Sequence, residues 1–171
     1  MQKEMMMMLD SLKLKKFERS LFMIKPDSYK YKNEILNELR KNNFELQYVR
    51  DVILSKNFLE KLYSTEDDDI VNLLNIEYFL NKTATIGIAS GENCKKRLFE
   101  VCGETYIPDM CDKNSIRYKY STIREPISLH GYEFYINAIH RSLPKDAENE
   151  IELYMEEYIR NNVKEEDFGE R

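Results

Sequence analysis

Apolar and polar positions along this chain follow two alternating periods. Ser20–Lys25, with the apolar run Leu21-Phe-Met-Ile24 at its centre and Pro26 stopping it, reads as a strand. Ile35, Leu36 and Leu39 then line one face of a helix over about 31–42, and Phe44–Leu54 is a β-type stretch of Leu, Tyr and Val. Ser55 is placed to cap a short helix carrying Phe58, Leu59 and Leu62. Ile70, Leu73, Leu74 and Tyr78 repeat at helical spacing near 66–80. Thr83–Ala89 reads as another buried strand, and a helix follows from Glu92 to Cys102, with Gly103 as its left-handed terminator. Residues 104–134 carry no clear period, which predicts a long functional loop. Tyr135–His140 alternates into a last strand that ends on the histidine. Ala147, Ile151, Tyr154 and Tyr158 then share one face of a C-terminal helix, whose first turn suits Pro144.

Strand, helix, strand, helices, strand, helix, strand, helix is the order of a ferredoxin-like split βαβ α/β sandwich. That architecture is a four-stranded antiparallel sheet covered by helices, for which helices on one side suffice. Order alone leaves strand pairing open, so a small doubly wound sheet remains an alternative. The 171 residues suit one domain with a substantial core. It is expected over 18–162, after a flexible N-terminal extension at 1–17 and before a charged tail at 163–171.

No apolar run approaches the roughly 20 residues that span a bilayer. Met5–Leu9 followed by Asp10 is too short for a signal-peptide core. Cys94, Cys102 and Cys111 are odd in number and lack paired metal-ligand spacing; Cys94 and Cys102, on a predicted helix, are expected to be buried free thiols, and a reducing cytoplasm fits. A net charge of −5 argues against general nucleic-acid binding. It does not exclude a small anionic ligand, because screening confines distant charges to about 10 Å and a few cations in a cleft dominate locally.

The candidate chemistry sits at strand ends. His140 stands in Tyr135-Ile-Asn-Ala-Ile-His140-Arg-Ser142, and Glu150 follows where a carboxylate can fold back onto one ring nitrogen. A histidine oriented this way is nucleophilic or basic near neutral pH. Lys25 ends the first apolar strand, just before Pro26 and Asp27. His130 reads as a loop residue and completes no metal-ligand set. The acidic run Glu66–Asp69 reads as a solvated helix start, and no protein metal site is assigned.

Taken together, these segments resemble a nucleoside diphosphate kinase from about Glu18 to Glu157. Glu18–Asp27 resembles the family's opening strand and its Lys-Pro-Asp motif. Gly103-Glu-Thr105 is similar to the Gly-x-Thr turn, and Ser115-Ile-Arg117 to the Thr/Ser-Ile-Arg motif. Asn137-Ala-Ile-His140-Arg-Ser142 is similar to Asn-x-x-His-x-Ser, with Glu150 at the following Glu-Ile. The resemblance implies that His140 is phosphorylated and that Glu150 orients it. It implies that Lys25, Thr105, Arg117 and Asn137 contact the nucleotide's phosphates and sugar, with Tyr63 near the nucleophile and Ser142 just beyond it.

The spacing between Arg117 and His140 resembles a longer-loop variant of the family. Arg124, in Thr122-Ile-Arg124, offers a rival register for the same motif. Arg117 is preferred, because Ser121 then matches a serine of the longer variant and Gly103–Arg117 keeps the family length. The chain also departs from the family pattern. Phe99 stands where many members place a second phosphate-contacting arginine, and Val71 where the aromatic base platform is expected. Arg141 replaces a commonly small residue beside the nucleophile, where it would hold a phosphate or crowd it. Ser28–Lys32 replaces a glycine-containing turn.

What the resemblance implies is transfer of a γ-phosphoryl from nucleoside triphosphate to nucleoside diphosphate through His140. Mg²⁺ would arrive with the nucleotide, base discrimination would be small, and the chain would form a homo-oligomer. The alternative is a catalytically weakened or inactive nucleotide-binding or interaction module of the same fold.

Overall fold

A computed structural model of the protein describes residues 2–14, 16–64 and 70–160. Strand β1 (Phe17–Ile24) is stopped at Pro26, which opens a 3₁₀ turn over Pro26–Tyr31 that leads into α2 (Lys32–Lys41). It is preceded by α1 (Gln2–Leu14), a helix within the expected N-terminal extension, with Met5–Met8 exposed. β2 (Glu45–Ile53) is followed by α3 (Lys56–Leu62), which Ser55 caps by accepting from the Phe58 N–H at 3.1 Å. After α4 (Ile70–Phe79), β3 (Thr83–Glu92) runs into α5 (Cys94–Cys102). The acidic run 66–69, the residues from 161 onward and hence the expected tail lie outside the described residues.

β1 pairs with β3 along its whole length, and β2 pairs with the other side of β3. The short β6 (Ile139–Arg141) joins the free side of β1, with Met23 opposite His140. The resulting antiparallel order, β2-β3-β1-β6, is that of the ferredoxin-like sandwich. Helices cover both faces of the sheet rather than one. Leu21 and Met23 face a core with Phe58, Leu59, Leu74, Ile151 and Tyr154. Phe22 and Ile24, one residue out of phase, face Ile35, Leu39, Leu98 and Cys102. The run 21–24 is apolar and buried without alternation because both of its faces are covered. All three cysteines are free and buried.

Residues 104–134 are more ordered than their lack of period suggests. They contain a 3₁₀ turn at Pro108–Met110, α6 (Ile116–Tyr120), and a hairpin of β4 (Ile127–Leu129) and β5 (Tyr132–Phe134). His130 and Gly131, at φ of 54° and 81°, form the two-residue turn, and two positive φ values match the twist of the flanking strands.

The last strand is shorter than the alternation over 135–140 implies, and His140 is its middle residue rather than its end. Asn137 and Ala138 leave the ladder: the Ala138 N–H donates to Ser121 Oγ at 2.9 Å, while its carbonyl accepts from the Lys25 N–H. The final helix, α7 (Ala147–Tyr154), is entered through a 3₁₀ turn at Pro144 and continues as a π-helical segment to Arg160.

Candidate active site

The β1–β6 pairing brings Lys25 and His140 to one end of the sheet, on the face packed by α3, α4 and α7. A cavity of 520 Å³ opens there, lined by Lys25, Tyr63, Arg117, Asn137 and His140, with α4 and the hairpin as its walls. This volume lies within the range of small-molecule sites.

His140 is held by α7. Its Nε2 lies 2.6 Å from Glu150 Oε1, and Ser142 Oγ donates to the same oxygen at 2.8 Å. A carboxylate only accepts, so the neutral ring carries its proton on Nε2 and leaves the Nδ1 lone pair open. Burial alone would raise the Glu150 pKa. The His140 ring, Ser142 and Arg141 more than offset this, and the carboxyl rests below its ordinary value. Tyr63, at the end of α3, sets its ring edge-on to His140 with centroids 6.3 Å apart. Its hydroxyl is buried with no partner in the free protein, and burial pushes its pKa up.

The cations are buried, and among the described residues no carboxylate forms a salt bridge with them. Lys25 is 6% exposed, with its ammonium 5.6 Å from the centre of the Phe79 ring. Burial, and then the guanidiniums of Arg117 and Arg141, hold that ammonium well below its ordinary value; Asp27 opposes them only in part. Arg117 is 4% exposed and donates to two carbonyls, Nε to Ile139 at 3.0 Å and Nη1 to Thr105 at 2.8 Å. Burial, then Arg141, pulls its pKa down to about 10. Among the described residues neither forms a salt bridge, although an uncompensated buried charge costs on the order of several kcal/mol. The site is built to receive negative charge.

Gly103 is what lets Arg117 in. It sits at φ 120°, in the region that glycine favours, and not in the left-handed helical conformation expected of a terminator. A Cβ there would lie 3.0 Å from both Arg117 Cβ and Cδ, and 2.9 Å from Cys111 Sγ.

Most of the residues singled out from sequence converge. Asn137 lines the cavity, its Nδ2 donating to the Tyr106 carbonyl at 3.1 Å while its Oδ1 is buried without a donor. Thr105 is the exception. It lines an adjoining hollow with Glu104 and Cys111, its hydroxyl accepts from the Ile107 N–H at 3.5 Å, and its carbonyl serves the site through Arg117. Arg124 lies elsewhere, bound to Asp109 at 3.0 Å and to the Tyr118 carbonyl. Arg141 neither lines the cavity nor crowds it, because neighbouring strand residues point to opposite faces. Sequence reasoning missed Asn75, Tyr106, Phe134 and Tyr135 as wall residues. Only the two aromatics flanking the hairpin's end had a local signal, the turn at His130-Gly131.

The Nucleoside diphosphate kinase family profile matches residues 18–159, most of the chain. The chain belongs to the nucleoside diphosphate kinase family. Solved nucleoside diphosphate kinases share its fold. The enzyme of Aquifex aeolicus superposes with a TM-score of 0.68 at 22% identity, covering 81% of this chain and 94% of its own. A transition-state mimic of the Borrelia burgdorferi enzyme with bound vanadate and ADP gives 0.68 at 19% identity, over 81% and 86%. The Encephalitozoon cuniculi enzyme gives 0.67 at 23%, over 81% and 88%. No curated protein sequence matches the chain. Within this family member, no helix among the described residues is long and apolar enough to cross a membrane.

Proposed function

We propose that this protein transfers the γ-phosphoryl group of a nucleoside triphosphate to a nucleoside diphosphate through a phosphohistidine on His140. One observation carries the reading: His140, with Nε2 tied to Glu150 at 2.6 Å and Nδ1 left open, lines a cavity whose buried Lys25 and Arg117 form no salt bridge among the described residues. Nδ1 attacks the γ-phosphorus, an N–P bond forms, and the bond to the β-phosphate oxygen breaks. The electron pair leaves on the departing diphosphate. Positive charge developing on the ring is met by Glu150, so no proton has to leave Nε2 in the transfer. A second diphosphate then takes the phosphoryl group by the reverse displacement.

Lys25 and Arg117 offer a point charge and a planar fork to the phosphate oxygens, which is what phosphoryl transfer requires of a protein. Tyr63 supplies a hydroxyl, and Asn137 an amide oxygen, that become satisfied only with a ligand. Mg²⁺ belongs to the same proposal. The described residues hold no group of three or more His, Cys, Asp or Glu side chains suited to a metal, and the cavity is lined chiefly by cations and neutral groups. That donor set fits a metal carried in on phosphate oxygens and water. Bound there, Mg²⁺ would offset charge on the β- and γ-phosphates. Self-association is also proposed, with the open edge of β2, where Ile53 is 65% exposed, as the surface to examine.

Brief incubation with ATP labelled at the γ-position tests the assignment. Wild type should take up acid-labile label and His140→Ala none. Equal labelling of both proteins refutes it, and nucleotide binding without any label favours a silent module.

A further inference from the structure

Four consecutive carbonyls, those of Gly103, Glu104, Thr105 and Tyr106, are all held by side chains from around the site. Arg141 Nη2 donates to Gly103 at 3.0 Å and to Glu104 at 3.2 Å. Arg117 donates to Thr105 at 2.8 Å and Asn137 to Tyr106 at 3.1 Å. The segment belongs to no helix or strand, so these donors take the place of a backbone ladder in fixing it. The two cavity groups, Arg117 and Asn137, are therefore oriented by a strap whose other end is gripped by Arg141.

Arg141 itself is firmly seated. It lies in β6 opposite Phe22, is 7% exposed, and stacks its guanidinium 4.1 Å from the centre of the Phe99 ring. Its Nε is buried without an acceptor, and no carboxylate pairs with it among the described residues. The arrangement uses a feature that lysine lacks: a plane that stacks on an aromatic face while its Nη2 donates to two carbonyls.

We propose that Arg141 is a positioning residue for polyanion binding, fixing the 103–106 strap that presents Arg117 and Asn137 to the cavity. It acts from the face of the sheet opposite His140. The inference rests on the reading of the cavity as a di- and triphosphate site and adds a residue that touches neither phosphate nor nucleophile.

The test compares wild type with Arg141→Met, Arg141→Lys and Phe99→Leu. ADP and inorganic pyrophosphate are titrated calorimetrically, and single-turnover labelling of His140 is followed from low to saturating ATP. Arg141→Met should weaken both ligands by about 10–100-fold, the scale of a small misplacement of binding groups. Its labelling rate at saturating ATP should stay within about threefold of wild type, because the lost interaction serves binding and not the transferring step. Arg141→Lys should fail to restore affinity, since an ammonium can donate to both carbonyls but has no planar face to stack on Phe99 and hold it there. Phe99→Leu leaves Arg141 in place without its platform and should shift affinity in the same direction. It carries the test if Arg141→Met does not fold.

Wild-type affinity in Arg141→Met, or in a Phe99→Leu protein standing alone, overturns the proposal. Full rescue by Arg141→Lys also overturns it, in favour of charge alone. If wild type binds neither ligand, the phosphate-site reading fails instead.

Discussion

Replacing Glu150 with glutamine separates the orienting role of the carboxylate from its charge. The amide is isosteric, so the 2.6 Å contact with His140 Nε2 and the 2.8 Å contact from Ser142 can both be kept. Two things change. A charge-assisted hydrogen bond contributes about 1.5–3 kcal/mol against about 0.5–1.5 for a neutral one, so about 1–2 kcal/mol of support for the developing imidazolium is lost. That corresponds to about 5–30-fold in rate. The amide can also turn its NH₂ toward Nε2, with Ser142 Oγ accepting, which places the ring proton on Nδ1 and blocks the nucleophile. Near-equal populations of the two orientations cost about another factor of two, for a total of about 10–60-fold. Glu150 does not line the cavity, so ADP affinity should be unchanged. Rapid-quench measurement of acid-labile label on His140 at saturating ATP gives the rate, and calorimetry gives the affinity. A labelling rate within about twofold of wild type would show that the ring needs no charged partner, and the proposed mechanism would have to be abandoned.

Two further outcomes are expected. Arg117→Ala should weaken ADP binding by about 1.5–3 kcal/mol, whereas Arg124→Ala, removing a side chain already bound to Asp109, should leave it nearly unchanged; calorimetric titration of both variants checks this. ADP affinity should fall as pH rises through the depressed pKa of Lys25, beginning well below 10.5, with proton uptake on binding in that window, and Lys25→Met should remove both effects; affinity that stays flat up to pH 10.5 would contradict them. The sign for stability is the reverse. The unfolded lysine keeps its proton to higher pH than the folded one, so the free protein gains stability as pH rises between the folded value and 10.5.

The parts of this site that were legible in the sequence are those fixed by short-range pattern. Lys25 before Pro26 announces a strand terminus, the alternating run announces a strand at His140 although His140 is its middle residue and not its end, and the helical face of Ala147, Ile151 and Tyr154 places Glu150 nearby. The hairpin was also written locally, in His130-Gly131 between two short apolar stretches, but strands of three residues are too brief for a period to register. What could not be read is whatever depends on a side chain's direction in three dimensions. Thr105 stands in the right motif, yet it does not line the cavity; its hydroxyl accepts from the Ile107 N–H and its carbonyl holds Arg117. Arg141 could have been assigned to the face opposite His140 from strand alternation alone. Its partners, the carbonyls of Gly103 and Glu104, required the fold.

The long segment between Arg117 and His140 can be accommodated because floor and wall of the cavity have separate supports. The floor is set by the β1–β6 ladder, by the Lys25 N–H on the Ala138 carbonyl, and by Arg117 on the Ile139 carbonyl. Ser121 closes the loop early by taking the Ala138 N–H, so the chain returns to the floor through a contact independent of the hairpin. The hairpin is fastened instead to α4, through His130 on Glu77 at 2.9 Å and Phe134 edge-on to Tyr78 at 6.1 Å. Changes in the hairpin therefore reach the α4 wall, where Val71 and Phe134 line the cavity, before they reach the nucleophile. Variation in this insertion should accordingly alter what part of a nucleotide lies against the wall, while the positions of Lys25, Arg117 and His140 remain set by the sheet.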